Sequence, residues 1–308
     1  MSHPTMGKME QMILMVALVV ALALPASAQL GGVIDNLGRA KKVSDATTPW
    51  TPEQENAIGQ AAAAKIIHIF PLYGNAAETK YVNLVAASVA QYGKRPLQYH
   101  VGILNTPIAW ACAMPGGYIF VTRGALAQMK DESELAGTLA HEVAHVDARH
   151  LETIIRNKKL TGLAVEEGTS HLPLSVLTGL ANQLVTQALT QNYGPDKEND
   201  ADKKGTDFAA QAGYAPAGLK AFLETLAVFA ADAANQQKTG MWNGKTHPAF
   251  TTRVAKLNDL LKKYPATGET LAERFKKNTA EAAKPEEKAG LGTIETTKKP
   301  RHGGASTF

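Results

Sequence analysis

The segment His141-Glu142-Val143-Ala144-His145 reads H-E-x-x-H. In an α-helix, residues i and i+4 lie on the same face, so both imidazoles can reach a single metal ion. Glu142 lies beside them and is a candidate general base. The segment therefore predicts a helix that carries two zinc ligands and an acid–base residue.

The flanking residues predict that this helix spans about residues 131–150. Asp131 is a candidate N-cap, and Glu134 has the spacing of a capping box. Apolar residues recur on the side opposite the two histidines: Leu135, Leu139, Val143 and Val146. We therefore expect one face of the helix to be buried and the other to look into a cleft. His150 lies on the apolar side, where a core or hydrogen-bonded histidine is expected rather than a ligand.

The motif needs support from the rest of the chain, because roughly 1% of sequences of this length contain one by chance. Glu198 and Asp202 are again four residues apart, on a second predicted helix. Glu198 could be a third ligand, and Asp202 could accept the outer N–H of a ligating histidine. Lys203 and Lys204 follow directly, so a solvated charged face fits the same spacing equally well.

Composition limits the class of protein. The chain has 308 residues, of which 44% are hydrophobic, so it can bury the core of one large domain or two small ones. The net charge of +4 gives no reason to expect nucleic-acid binding. Cys112 is the only cysteine, which excludes an intramolecular disulfide. Its apolar surroundings are typical of a core residue rather than a nucleophile.

Residues 1–28 are typical of a secretory signal peptide. Lys8 precedes an unbroken apolar run at residues 12–24, and Ala26-Ser27-Ala28 is a candidate cleavage site. The run is shorter than the roughly 20 residues of a membrane-spanning helix, although an uncleaved anchor is the alternative. We therefore expect an exported protein in which residues 29–50 form a leader.

Helical patterns and a few strands account for most of the mature chain. The predicted helices cover about residues 51–70, 75–92, 172–189, 195–213 and 216–235, and short apolar runs between residues 97 and 122 predict a small sheet. Beyond residue 267 the chain turns polar, so we expect residues 267–308 to form a partly disordered tail, with some helix at 269–283.

Met114-Pro115-Gly116-Gly117 separates two of the predicted strands. The simple interpretation of this segment is a turn. The alternative is functional, because glycines beside an edge strand let another backbone approach closely. A peptide substrate that adds itself to the sheet as a strand would approach in this way.

Several motifs together resemble the zinc metallopeptidases of the CAAX-prenyl-endopeptidase and HtpX type, above all their soluble periplasmic branch of BepA- and LoiP-like proteins. In chain order the matching motifs are M-P-G-G-Y-I-F-V-T-R-G at 114–124, H-E-V-A-H-V-D-A-R-H at 141–150, E-N-D-A-D at 198–202, A-G-Y-A-P at 212–216 and T-H-P at 246–248, with Arg253 six residues after His247. The resemblance covers roughly residues 51–264.

The resemblance implies an α+β fold. It implies a mostly helical, gluzincin-like metallopeptidase domain at residues 51–266, with a small sheet whose edge strand borders the active-site cleft. Residues 116–122 would be this edge strand, and Gly116, Gly117 and Tyr118 would bind the substrate.

The resemblance also implies a set of site residues. One Zn²⁺ per chain would be held by His141, His145 and Glu198. Asp202 would bond to a ligating histidine, and Glu142 would act as the catalytic base. His247 and Arg253 would lie near the metal as catalytic groups that stabilise the oxyanion, and in the periplasmic branch His247 is instead a removable plug on the zinc.

We therefore predict a zinc-dependent metalloendopeptidase that hydrolyses misfolded or envelope proteins with a metal-activated water. Its partners would be protein or peptide substrates and not nucleic acid, and it would serve protein quality control in the periplasm, with membrane association as an option. The alternative is a zinc-bound, latent, chaperone-like factor that works with the envelope assembly machinery. The sequence assigns no oligomeric state.

Overall fold

A computed structural model describes residues 49–159, 173–191, 193–232, 235 and 249–284. The chain divides into two compact units, and the larger comprises Pro49–Ile155 and Ser170–Phe308. This unit contains every residue of the candidate site that the structure describes. The predicted signal peptide, most of the leader, His247 and residues 285–308 lie outside the described part of the chain.

Helices predominate among the described residues, and a small sheet accompanies them, which confirms the predicted α+β class. The helices are α1 (Pro52–Ile69), α2 (Ala76–Ala90), α3 (Arg123–Gln128), α4 (Glu132–Asp147), α5 (His150–Lys159), α6 (Leu174–Thr190), α7 (Pro195–Gln211), α8 (Gly218–Ala231), α9 (Phe250–Leu261) and α10 (Ala272–Asn278), and the strands are β1 (His100–Leu104), β2 (Ala111–Met114) and β3 (Tyr118–Thr122). Within the described ranges, no helix combines the length and the hydropathy that a membrane span requires.

Capping side chains set where the helices begin. The Thr51 hydroxyl accepts from the Gln54 N–H, and the Gln54 side chain accepts from the Thr51 N–H, so α1 starts with a full capping box. Asp131 caps α4 by accepting from the Glu134 N–H at 3.0 Å. The Glu134 carboxylate accepts from the Lys130 N–H, one residue before the position that a full box would use.

The strand order is β1-β3-β2, which places β3 in the centre of the sheet. β3 pairs in parallel with β1 and antiparallel with β2, to which the turn Pro115–Gly117 joins it. The prediction that residues 116–122 form an edge strand is therefore wrong. The turn between β2 and β3 was the simple interpretation of residues 114–117, and the structure confirms it. The parallel addition of β1 to the far side of β3 is a long-range pairing that local patterns do not reveal.

The two outer strands differ in what covers them. On β1, the Asn83 side chain bonds both backbone groups of Val101, at 2.9 and 2.7 Å, and the Tyr73 N–H donates to the Ile103 carbonyl at 2.7 Å. β2 packs against α4, the helix that carries H-E-x-x-H. Among the described strands, β2 is therefore the sheet edge that borders the candidate site.

Helix α4 is buried on every side. All residues from Glu132 to Val146 are buried, because α2, α7, α8 and β2 surround the helix. The expectation that only one face is buried is therefore wrong. Gly137, on the same face of α4 as the two histidines, lets helix α8 pack there as well. A Cβ at Gly137 would lie 2.5 Å from the backbone nitrogen of Leu219 in α8.

The C-terminal residues 267–284, which the sequence suggested as the start of a polar tail, pack against the N-terminus of α4. The Thr270 carbonyl accepts from the Glu132 and Ser133 N–H groups at 2.9 and 3.2 Å. The Glu132 carboxylate accepts hydrogen bonds from Arg274 of α10 and from the hydroxyls of Tyr81 and Tyr214. The four N–H groups that open a helix have no intrahelical partner, so this segment completes the start of α4.

Candidate metal centre

Three potential ligands converge where helices α4 and α7 pack against each other. Single ligand atoms of His141, His145 and Glu198 all lie within 4.8 Å of one another, and all three side chains are buried. The two Nε2 atoms are 3.0 Å apart, and each lies 3.7 Å from a carboxylate oxygen of Glu198. The interpretation of Glu198 and Asp202 as a solvated charged face is therefore wrong, because they are 0% and 4% exposed.

The donor set and its spacing fit zinc. Two imidazole nitrogens and one carboxylate are a common protein ligand set of catalytic zinc sites, with bonds of about 2.0–2.2 Å. Tetrahedral geometry with such bonds separates ligand atoms by roughly 3.3–3.5 Å. The distance between the two Nε2 atoms, 3.0 Å, lies slightly below this range, and the two 3.7 Å distances from Nε2 atoms to different oxygens of Glu198 lie slightly above it.

The close crossing of α4 and α7 brings the carboxylates to the histidines. A Cβ at Gly205 of α7 would lie 2.7 Å from the backbone nitrogen of His141. Only glycine therefore allows the two helices to approach this closely. Gly205 was not among the site residues predicted from the sequence. Its signal was a glycine within a helical pattern, which is unfavourable by about 1 kcal/mol relative to alanine and therefore points to a packing reason.

We expect Gly205→Ala to weaken metal binding, because the added Cβ must push α7, and with it Glu198, away from α4. A loss of tenfold or more in zinc affinity, measured by competition with a chromogenic chelator, is the expected result. Gly179→Ala is the matched control, because Gly179 lies within helix α6 and a Cβ there would meet nothing within 4 Å. Equal zinc affinities in the two variants would contradict the role assigned to Gly205.

His141 is held from behind by a buried ion pair. Its Nδ1 lies 2.9 Å from Asp202 Oδ1, and Arg253 bonds both Asp202 oxygens, at 2.5 and 3.1 Å. Burial alone would raise the pKa of the Asp202 carboxyl, but Arg253 and His141 outweigh burial and hold it well below its usual range. An ionised Asp202 keeps the proton of His141 on Nδ1 and leaves Nε2 as the ligand atom.

Arg253 is buried in the site, as the resemblance implied, and its described contacts are with other site residues. Besides Asp202, its Nη2 lies 3.3 Å from His141 Nδ1, and its Nη1 lies 4.0 Å from Glu198 Oε2. These contacts make Arg253 a positioning residue. Direct oxyanion stabilisation by Arg253 stays a prediction, as does any role of His247, which lies outside the described residues.

Glu142 has the environment of an acid–base group. It is 1% exposed, and its Oε1 has no hydrogen-bond partner among the described residues. Burial, together with the nearby Glu198 carboxylate, raises the pKa of Glu142 to about 8, while Arg253 acts in the opposite direction. A cation at the three ligands would also lower this pKa, because an opposite charge favours the carboxylate. The group is therefore poised to exchange a proton near neutral pH.

His145 is enclosed by two aromatic rings that the sequence analysis did not assign to the site. The ring of Tyr193 meets it edge-on at 4.8 Å between centroids, and the ring of His150 does so at 5.0 Å. Burial lowers the pKa of His150 to about 4, so this imidazole is neutral at pH 7. Cys112 is also buried, as predicted for a core residue, and burial raises the pKa of its thiol.

The glycines of the 114–117 segment approach the backbone of their own chain. A Cβ at Gly117 would lie 2.5 Å from the Gln98 carbonyl oxygen, and one at Gly116 would lie 3.1 Å from Asn56 Cα. The Tyr118 hydroxyl lies 3.1 Å from Asn56 Oδ1. These contacts explain the glycines without a substrate, so substrate binding by Gly116, Gly117 and Tyr118 stays a prediction.

The chain is similar to known proteins over its central part. Residues 76–261 match the model of the protein family described as "Peptidase family M48". The mitochondrial metalloendopeptidase OMA1 of Schizosaccharomyces pombe is 30% identical over 62% of this chain and 56% of its own length. A beta-barrel assembly-enhancing protease of Escherichia coli O157:H7 is 25% identical over 69% of this chain and 45% of its own length. The metalloprotease YcaL of Escherichia coli K12 is 28% identical over 59% of this chain and 75% of its own length. The chain thus spans about half the length of the first two relatives.

Proposed function

This chain belongs to peptidase family M48, and from that premise we propose that it is a metalloendopeptidase, which hydrolyses peptide bonds with a zinc ion held by His141, His145 and Glu198. The observation that carries the proposal is the convergence of these three buried ligands, within 4.8 Å, beside the buried carboxyl group of Glu142.

The chain's own residues supply the proton transfers. Bound zinc would contribute Lewis-acid activation of a water molecule and of the scissile carbonyl. The Glu142 carboxylate takes one proton as the water oxygen bonds to the carbonyl carbon, and then gives that proton to the amine nitrogen as the C–N bond breaks. Asp202 and Arg253 keep His141 in one tautomer and orientation throughout.

We extend the proposal to the substrate and the compartment. The signal-like residues 1–28 and the relatives named beta-barrel assembly-enhancing proteases support an exported, periplasmic enzyme that acts on misfolded or envelope proteins. The same names support the alternative, in which the protein mainly assists assembly. In that version His247 would keep the zinc site latent, as the resemblance implies. Both versions use the same three metal ligands.

Metal content and casein cleavage, measured on protein that starts at Gln29, test the function. We expect one zinc per chain, loss of cleavage with a chelator and recovery on addition of zinc. Glu198→Ala should lose zinc and activity, because a three-ligand site becomes a two-ligand site. Asp196→Ala is the control, because Asp196 is an exposed residue in the first turn of the same helix.

The other outcomes separate the alternatives. Zinc-loaded wild type that is inert, together with an active His247→Ala variant, would favour the latent form of the enzyme. Zinc binding without cleavage in either protein would favour an assembly factor. Absence of stoichiometric zinc would overturn the proposed metal site.

A further inference from the structure

We propose that His150 and Asp200 are positioning residues that hold the second ligand, His145, from behind and fix its tautomer. This inference rests on the proposed zinc site. The sequence pattern predicts a core or hydrogen-bonded histidine at position 150, and the structure places its ring directly against His145. His145 would thus have a support that is chemically different from the carboxylate behind His141.

The contacts form a continuous path from the ligand to the protein surface. His145 Nδ1 lies 3.0 Å from His150 Nδ1, and His150 Nε2 lies 3.2 Å from Asp200 Oδ2. The same Asp200 oxygen accepts from Lys204 Nζ at 2.6 Å. His150 is only 7% exposed, whereas the side chain of Asp200 is 38% exposed. The path therefore begins at a buried nitrogen and ends at a solvated ion pair.

The order of atoms along this path allows one favourable placement of protons. Asp200, paired with Lys204, is an acceptor, so His150 carries its proton on Nε2 and donates it there. His150 Nδ1 is then a lone pair that accepts the Nδ1–H of His145. His145 Nε2 is left unprotonated, as a metal ligand must be. The opposite tautomers would set the lone pair of His150 Nε2 against the carboxylate.

The break between α4 and α5 makes this contact possible. In a continuous helix, residue i+5 lies about 140° around the axis from residue i, so His150 could not face His145. Arg149 has a left-handed backbone with φ of 52°, which ends α4 and turns the chain back. Such a conformation costs a non-glycine residue roughly 1 kcal/mol or more. Strain of this kind persists only where surrounding contacts maintain it.

The side chain of Arg149 supplies those contacts. Its Nη1 donates to the Trp50 carbonyl at 3.1 Å and to Glu152 Oε2 at 3.0 Å, and its Nη2 lies 3.5 Å from Glu55. The backbone N–H of Trp50 in turn donates to Glu152 Oε1 at 2.7 Å. These bonds tie the start of α1 to the α4–α5 junction, so the turn that presents His150 is built into the fold.

Zinc affinity and the absorption spectrum of the Co²⁺-substituted protein test the inference. We compare the wild type with His150→Leu, His150→Asn and Asp200→Asn, using chelator competition and protein that starts at Gln29. His150→Leu should lower zinc affinity by about 10- to 100-fold, the usual effect of removing a partner of a metal ligand. It should also change the Co²⁺ spectrum, because His145 is no longer held in one orientation.

Rescue distinguishes positioning from packing. The Oδ1 atom of asparagine occupies the place of histidine Nδ1, so His150→Asn should recover most of the zinc affinity although it is smaller than leucine. Asp200→Asn should give a smaller loss than His150→Leu, because its partially solvated site lies one residue further from the metal. Asp259→Asn, an exposed aspartate paired with Lys262, is the control and should bind zinc as the wild type does.

Either of two outcomes would overturn this inference and leave the proposed function intact. The first is wild-type zinc affinity in His150→Leu. The second is an equal loss of zinc affinity in His150→Leu and His150→Asn that parallels their loss of thermal stability. A wild-type protein without stoichiometric zinc would overturn the proposed function as well. The two failures are therefore distinguishable.

Discussion

Glu142→Gln is expected to lower kcat/KM for casein cleavage by roughly 10²- to 10⁴-fold while zinc remains bound. General acid–base catalysis contributes a factor of this size, which corresponds to about 3–5 kcal/mol of transition-state stabilisation. Glutamine has the same size as glutamate but cannot accept and return a proton. The ligand group comprises His141, His145 and Glu198 without Glu142, so the metal should stay.

Zinc content and activity must be measured on the same preparation. Glu134→Gln provides the matched control, because Glu134 is a buried glutamate near the start of the same helix, where it accepts from the Lys130 N–H. That variant should keep both zinc and activity. Cleavage by Glu142→Gln above a few per cent of wild type would rule out Glu142 as the catalytic base. Loss of zinc in the same variant would assign Glu142 a ligand role instead.

A protein that ends at residue 266 should be far less stable than one that ends at residue 284. The shorter chain loses the Thr270 carbonyl that accepts from Glu132 and Ser133, and it loses Arg274, the cationic partner of Glu132. Glu132 is 1% exposed. Removing one partner of a buried ion pair typically costs about 3–5 kcal/mol, and the 52% exposure of the Arg274 side chain reduces that figure here.

Apolar burial adds to this loss. Phe275 is 3% exposed and Ala282 is 1% exposed, so the segment also closes part of the core. Large-to-small substitution of a buried phenylalanine costs about 3–5 kcal/mol, which for a domain of this size lowers Tm by roughly 10 °C. Phe275→Ala should show this shift in a thermal unfolding experiment. Val228→Ala is the control, because Val228 is 77% exposed and its truncation should leave Tm nearly unchanged.

The two chain lengths should also differ in metal binding, because the segment completes the start of the helix that carries His141 and His145. We expect the protein that ends at residue 284 to match the longer chain in Tm and zinc content. Equal unfolding temperatures for the proteins that end at 266 and 284 would show that the segment is dispensable, and the boundary predicted at residue 266 would then mark the end of the folded domain.

Short-range patterns were sufficient for much of the local structure. The cap at Asp131, the turn between β2 and β3 and the burial of Cys112 depend on residues close in sequence, and the structure has them where they were expected. The i and i+4 spacing also placed each pair of site residues on one helix face. These features were readable because the relevant hydrogen bonds and side-chain directions are set within one or two turns.

The amino-acid sequence therefore specified which helices carry the chemistry, but their mutual arrangement depends on contacts between distant residues. Gly205 decides how closely α7 crosses α4, and so whether Glu198 is a ligand or a solvated charge. The left-handed Arg149 turns His150 back towards His145, and residues 267–284 complete the start of α4. Helical periodicity predicts on which face of its own helix a side chain lies. Which other helix packs against that face depends on the free energy of packing the whole chain. The two ligands and the base of H-E-x-x-H were thus evident in the linear sequence. The spacing of Glu198 and Asp202 allowed either a metal site or a solvated face, and the folded molecule decides for the metal site and adds the support behind His145.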